Sequence, residues 1–288
     1  MEKEKTIFKC SALYNYTNIR SDDRVFPCCR FKRPIQKFDG DVNGVLASNE
    51  YDELREKFKF GLYNTNRTQK LPECSKCWEE EDNGVKSLRE EFNEQYDCSA
   101  YIIPDEIKLR HLEIGFDNIC NLKCDPCWEE WSYQFNGIIK HIKPLTNIPN
   151  LEKVTFLGGE PLMTQKHFRF LKKIDRENLE VVYVTNGMFK PQERWKKIWR
   201  ECKNVSFLVS IDGYGKLNEK VRSGSDWNTI INTVEELEKE WSVTINTVLH
   251  KNNEHGLDEL KKWVGNRKWN VNLLTYPEHL KIGVNNVS

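Results

Sequence analysis

The chain has 288 residues, with Lys plus Arg and Asp plus Glu balanced at 44 each. That length accommodates one large domain and a smaller one, and the balanced charge leaves no net positive field to condense on a phosphate backbone or an anionic membrane surface, so neither nucleic acid nor membrane is expected as a partner. The opening residues Met1 to Thr6 carry no apolar signal core, and no run approaches the roughly 18 apolar residues that span a bilayer, which leads to the expectation of a cytoplasmic protein.

Ten cysteines in a short secreted chain would indicate disulfides, but here they cluster at metal-ligand spacings, so reduced thiols that bind metal are expected. Up to residue 105 the texture is short and cysteine-punctuated, with turn residues at Asp39-Gly40-Asp41 and Asn43-Gly44. Two helices are predicted there, Glu50 to Phe60 and Cys77 to Gln95. Cys10, the pair Cys28 and Cys29, and Cys74 with Cys77 supply enough thiolates for a closed metal site; Cys28 and Cys29 are interchangeable from sequence, and Cys28 is taken as the ligand with Cys29 as the spare. By count alone, structural zinc and an iron-sulfur cluster serve equally well. The stretch Cys98 to Glu106, which contains Pro104, is the expected joint between a small domain, 1–105, and a larger one, 106–288.

From Leu109 onward, short apolar runs alternate with longer amphipathic stretches, the pattern of strand-helix units closing a parallel sheet. Six strands are predicted: Leu109 to Phe116, Lys153 to Leu157, Val181 to Thr185, Val205 to Ile211, Val243 to Leu249 and Val271 to Tyr276. Between them, Gln192 to Cys202 and Trp227 to Trp241 carry tryptophan and aliphatic residues at helical spacing, which makes Trp195, Trp199 and Trp227 core residues of an outer helix layer. Cys98 and Cys202 have no partner at ligand spacing and read as ordinary thiols.

Chemistry in such folds collects at the carboxyl ends of the strands. After the first strand come Cys120, Cys124 and Cys127, three thiolates on one loop, which can ligate three irons of a 4Fe-4S cube and leave the fourth open. After the second come Gly158, Gly159, Glu160 and Pro161, where two glycines permit close backbone approach and a carboxylate can accept from an amine. Asn186-Gly187 follows the third strand, Ser210 to Gly213 the fourth, and the fifth carries Asn246 and Thr247 near its end. Each is an ordinary turn by itself. Their recurrence after successive strands is the signal.

Together these motifs resemble the radical S-adenosylmethionine enzymes, over Leu109 to about Tyr276. The resemblance implies an α/β chain: a partial (β/α)6 TIM-like barrel with a small cysteine-rich α+β N-terminal module. It implies that Cys120, Cys124 and Cys127 hold a 4Fe-4S cluster whose open iron chelates the methionine end of S-adenosylmethionine. Gly159 and Glu160 would lie near the amine, Asn186, Ser210 and Asp212 near the nucleoside, and Arg222 against the carboxylate, where a guanidinium fork fits. Pro126 stands where relatives carry an aromatic or large apolar residue against the adenine. A one-electron donor such as flavodoxin or ferredoxin would supply reducing equivalents, and a 5'-deoxyadenosyl radical would take a hydrogen atom from the substrate. The N-terminal cysteines resemble the twitch or shortened SPASM module, which implies a second, auxiliary 4Fe-4S cluster and a peptide or protein substrate. A small-molecule dehydrogenase acting on an aminocyclitol or sugar is the alternative, and a non-catalytic zinc or iron-sulfur protein a further one.

Overall fold

The computed structural model of the chain describes residues 10–63, 71–96 and 107–282. The expected joint at Cys98 to Glu106 lies outside the described residues, as does Cys98 itself. Two units are distinguished by their internal packing: Met1–Glu113 with Lys143–Leu151, and Ile114–Ile142 with Glu152–Ser288.

In the first unit, a short helix α1 (Ala12–Asn15) leads into three short antiparallel strands, β1 (Tyr16–Ile19), β2 (Arg24–Phe26) and β3 (Gln36–Lys37), with Asn18 opposite Phe26 and Arg24 opposite Lys37. Helix α2 (Asn49–Tyr63) is anchored by two buried polar groups. Arg55 donates to the carbonyls of Leu13 and Leu46, and Tyr51 Oη donates to Thr17 Oγ1 at 2.9 Å. The single helix predicted over Cys77 to Gln95 is two, α3 (Ser75–Asp82) and α4 (Leu88–Gln95). Gly84 takes φ +70° at the break, and Ser87 starts the second helix in a capping box with Glu90, two local preferences that override continuous helical spacing.

The chain passes into the second unit along β4 (His111–Gly115), shorter at both ends than predicted. Next come β5 (Lys123–Cys124) and β6 (Lys153–Leu157), with a 3-10 turn at Tyr133–Phe135 between them and, among the described residues, no α-helix. The first strand-helix unit expected from the sequence therefore has a loop in place of its helix. Helix α5 (Lys166–Leu171), β7 (Glu180–Thr185), α6 (Glu193–Trp199), β8 (Asn204–Ser210), α7 (Lys216–Val221), β9 (Arg222–Ser223), α8 (Trp227–Glu238), β10 (Ser242–Leu249), α9 (Leu257–Val264) and β11 (Lys268–Leu273) follow. Strands β6, β7, β8, β10 and β11 are parallel neighbours in that order, so the unit is an α/β fold with a parallel sheet. The last strand lies three residues earlier than predicted. It is an edge strand exposed along most of its length, so burial does not mark it, and its place is set by pairing with β10, from Thr244 opposite Lys268 to Leu249 opposite Leu273.

Alternation along each strand sends one set of side chains under the helices. Tyr183 and Phe207 are fully buried and stack at 5.3 Å, Trp199 packs edge-on against both, and Trp195 and Trp227 are buried as expected. His167 is 1% exposed in this layer, and its Nδ1 meets the Tyr183 hydroxyl at 2.9 Å while that hydroxyl accepts from Trp199 Nε1. Burial holds the imidazole neutral, with a pKa lowered to about 3. A depressed imidazole pKa adds stability above its unfolded value near 6.5, and that stability is lost as pH falls toward 3. Between pH 7.5 and 5.0, unfolding by denaturant should therefore show a loss of about 2 kcal/mol that His167→Phe lacks. Equal pH slopes in the two proteins would disprove this role.

Candidate functional site

Three thiols open the site. Cys120 and Cys124 are each 7% exposed, Cys127 is half-buried, and with Leu122 and Met188 they form one apolar cluster. Short backbone bonds shape the loop: β5 pairs antiparallel with β9, setting Cys124 opposite Arg222, Asp125 N donates to the Val221 carbonyl at 2.8 Å, and Cys127 N donates to that of Cys124 at 3.1 Å. Burial pushes the Cys120 thiol up to about 11, that of Cys127 to about 12, and that of Cys124 upward; the Arg222 guanidinium opposes the shift in all three. By themselves these thiols keep their protons at neutral pH. A cationic metal core that replaces the protons converts them to thiolate ligands.

The two glycines after β6 have a structural reason. A Cβ on Gly159 would stand 2.2 Å from the Ile119 carbonyl oxygen, and one on Gly158, at φ +125°, would stand 2.5 Å from that of Asp117. Gly159 N and Glu160 N donate to those same two carbonyls at 3.2 and 2.7 Å. What the Gly158-Gly159 pair approaches is the backbone leading directly into Cys120.

Glu160 is 1% exposed and accepts three hydrogen bonds: Leu162 N and Thr185 Oγ1 on Oε1, at 3.1 and 2.8 Å, and Asn186 N on Oε2 at 2.6 Å. A carboxylate offers about four acceptor positions, so one stays open on Oε2 for an ammonium. Burial raises its pKa to about 7 against the pull of those bonds, and a cation beside it favours the ionised form. Pro161 is buried and begins the 3-10 turn that Glu160 caps. From the end of β7, Asn186 Nδ2 reaches Asn121 Oδ1 at 2.9 Å and Cys120 Sγ at 3.8 Å, so the Asn-Gly turn touches the cysteine loop.

Asp212 and Arg222, assigned separately to nucleoside and carboxylate by resemblance, are partners here. Arg222 Nη1 lies 2.6 Å from Asp212 Oδ2, with the carboxylate fully buried; Asp212 Oδ1 accepts from Val248 N at 2.8 Å, and Asn253 Nδ2 donates to the Asp212 carbonyl. Ser210 is half-buried, opposite Asn246. Sequence reading missed Asn218, Asn253 and His250, which stand outside any motif. Asn218 and Asn253 tie the Asp212 turn together, and His250 is 0% exposed. Among the described residues, Arg222 Nε and His250 Nε2 are buried without a hydrogen-bond partner, and both belong to this end of the sheet. Thiols on one loop, an open acceptor and buried orphan donors fit a metal-sulfur group together with a polar ligand.

In the first unit, Cys10, Cys28, Cys74 and Cys77 line a single pocket with Arg30 and Arg89, whereas Cys29 is exposed. Burial raises the Cys10 thiol to about 11 and those of Cys28 and Cys74 well above the ordinary range. Among the described residues, no three His, Cys, Asp or Glu side chains stand ready to hold a single metal ion. Nor is any helix among them long and apolar enough to cross a membrane.

Residues 115–264 match the Radical SAM superfamily. The GTP 3',8-cyclase of Helicobacter pylori is 25% identical over 190 residues, which cover 59% of this chain and 57% of that protein, so the chain spans little more than half the length of this curated relative. The solved structure of native anSMEcpe with bound AdoMet and the Kp18Cys peptide aligns with 61% of this chain and 55% of its own at 20% identity and a TM-score of 0.46. Streptococcus suis SuiB bound to precursor peptide SuiA aligns with 70% and 52% at 16% identity and a TM-score of 0.41.

Because the Ile119 carbonyl fills the space beside Gly159, Gly159→Ala should displace the cysteine loop. Iron content after anaerobic reconstitution should fall by about a third to a half relative to wild type, with the far-ultraviolet circular dichroism kept. Full iron loading of this variant would show that the close approach does not govern the loop.

Proposed function

Since the chain belongs to the radical SAM superfamily, and so to a family of enzymes built around a 4Fe-4S cluster and S-adenosylmethionine, we propose that Cys120, Cys124 and Cys127 hold the cluster and that the substrate is a peptide or protein. When bound, that pair supplies reductive cleavage of the sulfonium and abstraction of a hydrogen atom from the substrate. The observation that carries the reading is the gathering of three thiols, two buried and one half-buried, in one apolar cluster at the carboxyl ends of parallel strands.

Each remaining residue has a task in this reading. Glu160 offers its open acceptor position to the amine of S-adenosylmethionine, beside the backbone of Gly158, Gly159 and Pro161. Arg222, oriented by Asp212, uses its unpartnered Nε for the carboxylate. Asn186 and Ser210 line the nucleoside side. The apolar wall of Leu122 and Met188 excludes water from the thiolates. No side chain is assigned a catalytic role. Electrons come from a flavodoxin or ferredoxin, and a reducing, cytoplasmic setting suits thiols that must stay unoxidised.

The four-thiol pocket supports the peptide reading, because the resemblance of Cys10, Cys28, Cys74 and Cys77 to a twitch or SPASM module implies an auxiliary 4Fe-4S cluster, and enzymes with such modules frequently modify peptides. The curated relatives support a second reading, a nucleotide substrate, through the name GTP 3',8-cyclase alone. An aminocyclitol or sugar dehydrogenase is a third candidate.

After anaerobic reconstitution and dithionite reduction, the wild type should release 5'-deoxyadenosine from S-adenosylmethionine, and a Cys120/Cys124/Cys127→Ala variant should release none above background. Equal release from both would sink the assignment. That triple variant should still hold cluster iron, and adding Cys28→Ala should remove it while adding Cys29→Ala leaves it; zinc alone in the triple variant would overturn the auxiliary cluster. Mass shifts in cellular peptides with and without the protein separate the peptide reading from the others.

A further inference from the structure

We propose that His250 is a positioning residue for S-adenosylmethionine, its Nε2–H donating to an acceptor atom of the nucleoside half, a ring nitrogen of adenine or a ribose hydroxyl. The inference rests on the cofactor reading above and extends it to a residue that no motif marks.

His250 stands one residue beyond β10. Along that strand Val243, Ile245 and Thr247 are buried, whereas Asn246 and Val248 lie on the opposite face, where Asn246 is opposite Ser210 of β8. His250 continues the second series, and unlike its half-exposed predecessors it is 0% exposed. The cysteine loop covers this corner: Asn252 Nδ2 donates to Asp125 Oδ2 at 2.7 Å, and Asp125 lies between Cys124 and Cys127. The imidazole is therefore enclosed where the cysteine loop, the Asp212 turn and the end of β10 meet.

Its protonation pattern follows from its neighbours. Asn252 N donates to Nδ1 at 3.3 Å, so Nδ1 is an acceptor and the ring proton of the neutral form sits on Nε2. Burial lowers the imidazole pKa, which keeps the ring neutral. Nε2–H is thus a donor, buried, with no partner among the described residues. A buried donor left unmatched is costly, so the site calls for an acceptor. An ammonium cannot supply one. Adenine ring nitrogens and ribose hydroxyls can, and Pro126 leaves the loop without an aromatic side chain at the position where an adenine contact is expected.

The test uses the anaerobically reconstituted protein and its His250→Phe and His250→Gln variants. The first keeps ring volume without a donor, and the second keeps an amide donor at similar reach. Calorimetric titration with S-adenosylmethionine should give a Kd about tenfold weaker for His250→Phe and within about twofold of wild type for His250→Gln. Competition by 5'-deoxyadenosine should weaken by the same factor in His250→Phe. The electron paramagnetic resonance signal of the reduced cluster without S-adenosylmethionine should be the same in all three. Unchanged affinity in His250→Phe, equal losses in both variants, unchanged competition by 5'-deoxyadenosine, or an altered signal without ligand would each overturn the proposal. If cluster-loaded wild type bound no S-adenosylmethionine, the cofactor reading itself would fail, an outcome distinct from these.

Discussion

The site depends on a backbone contact. Gly158 and Gly159 lie so close to the carbonyls of Asp117 and Ile119 that no side chain fits between, and the turn donates a hydrogen bond to each of those carbonyls. Because Ile119 immediately precedes Cys120, the turn after β6 governs where the first thiol stands. Glu160 extends the connection to the end of β7 through Thr185 and Asn186, and Asn186 returns to Cys120 Sγ. The motifs after two strands and the cysteine loop are one hydrogen-bonded assembly.

Charge is organised around the same assembly. Thiolates in this cluster, a buried carboxylate at Glu160 and the buried pair Asp212 and Arg222 would be costly individually, since each charge is removed from water. Asp212 is tied through both carboxylate oxygens and its carbonyl, which fixes the guanidinium of Arg222 beside Cys124. That guanidinium favours thiolate formation at all three cysteines. A residue assigned by resemblance to a ligand carboxylate thus also belongs to the electrostatics of the cysteine loop.

The first unit repeats the logic with other means. Its pocket cysteines come from three separate stretches, at Cys10, Cys28 and Cys74 with Cys77, and are brought together by short strands and helices, with the Gly84 break and the Ser87 cap turning the chain between α3 and α4. The pocket separates the adjacent cysteines, since Cys28 lines it and Cys29 does not.

From the sequence alone, β6, β7, β8 and β10 were legible to within a residue or so, as was the buried face of α8, because alternation and helical spacing record burial on one side. The cysteine spacing likewise marked the loop on which Cys120, Cys124 and Cys127 gather. Only the tertiary structure decided the edge strand β11, which pairs without being buried, and the division between α3 and α4, where capping outweighs periodicity. It also decided what the glycine pair approaches, that Arg222 and Asp212 face each other, and that His250 is enclosed. Those properties arise where separate strand ends converge, and a linear pattern records the periodicity of each segment but not which segments meet.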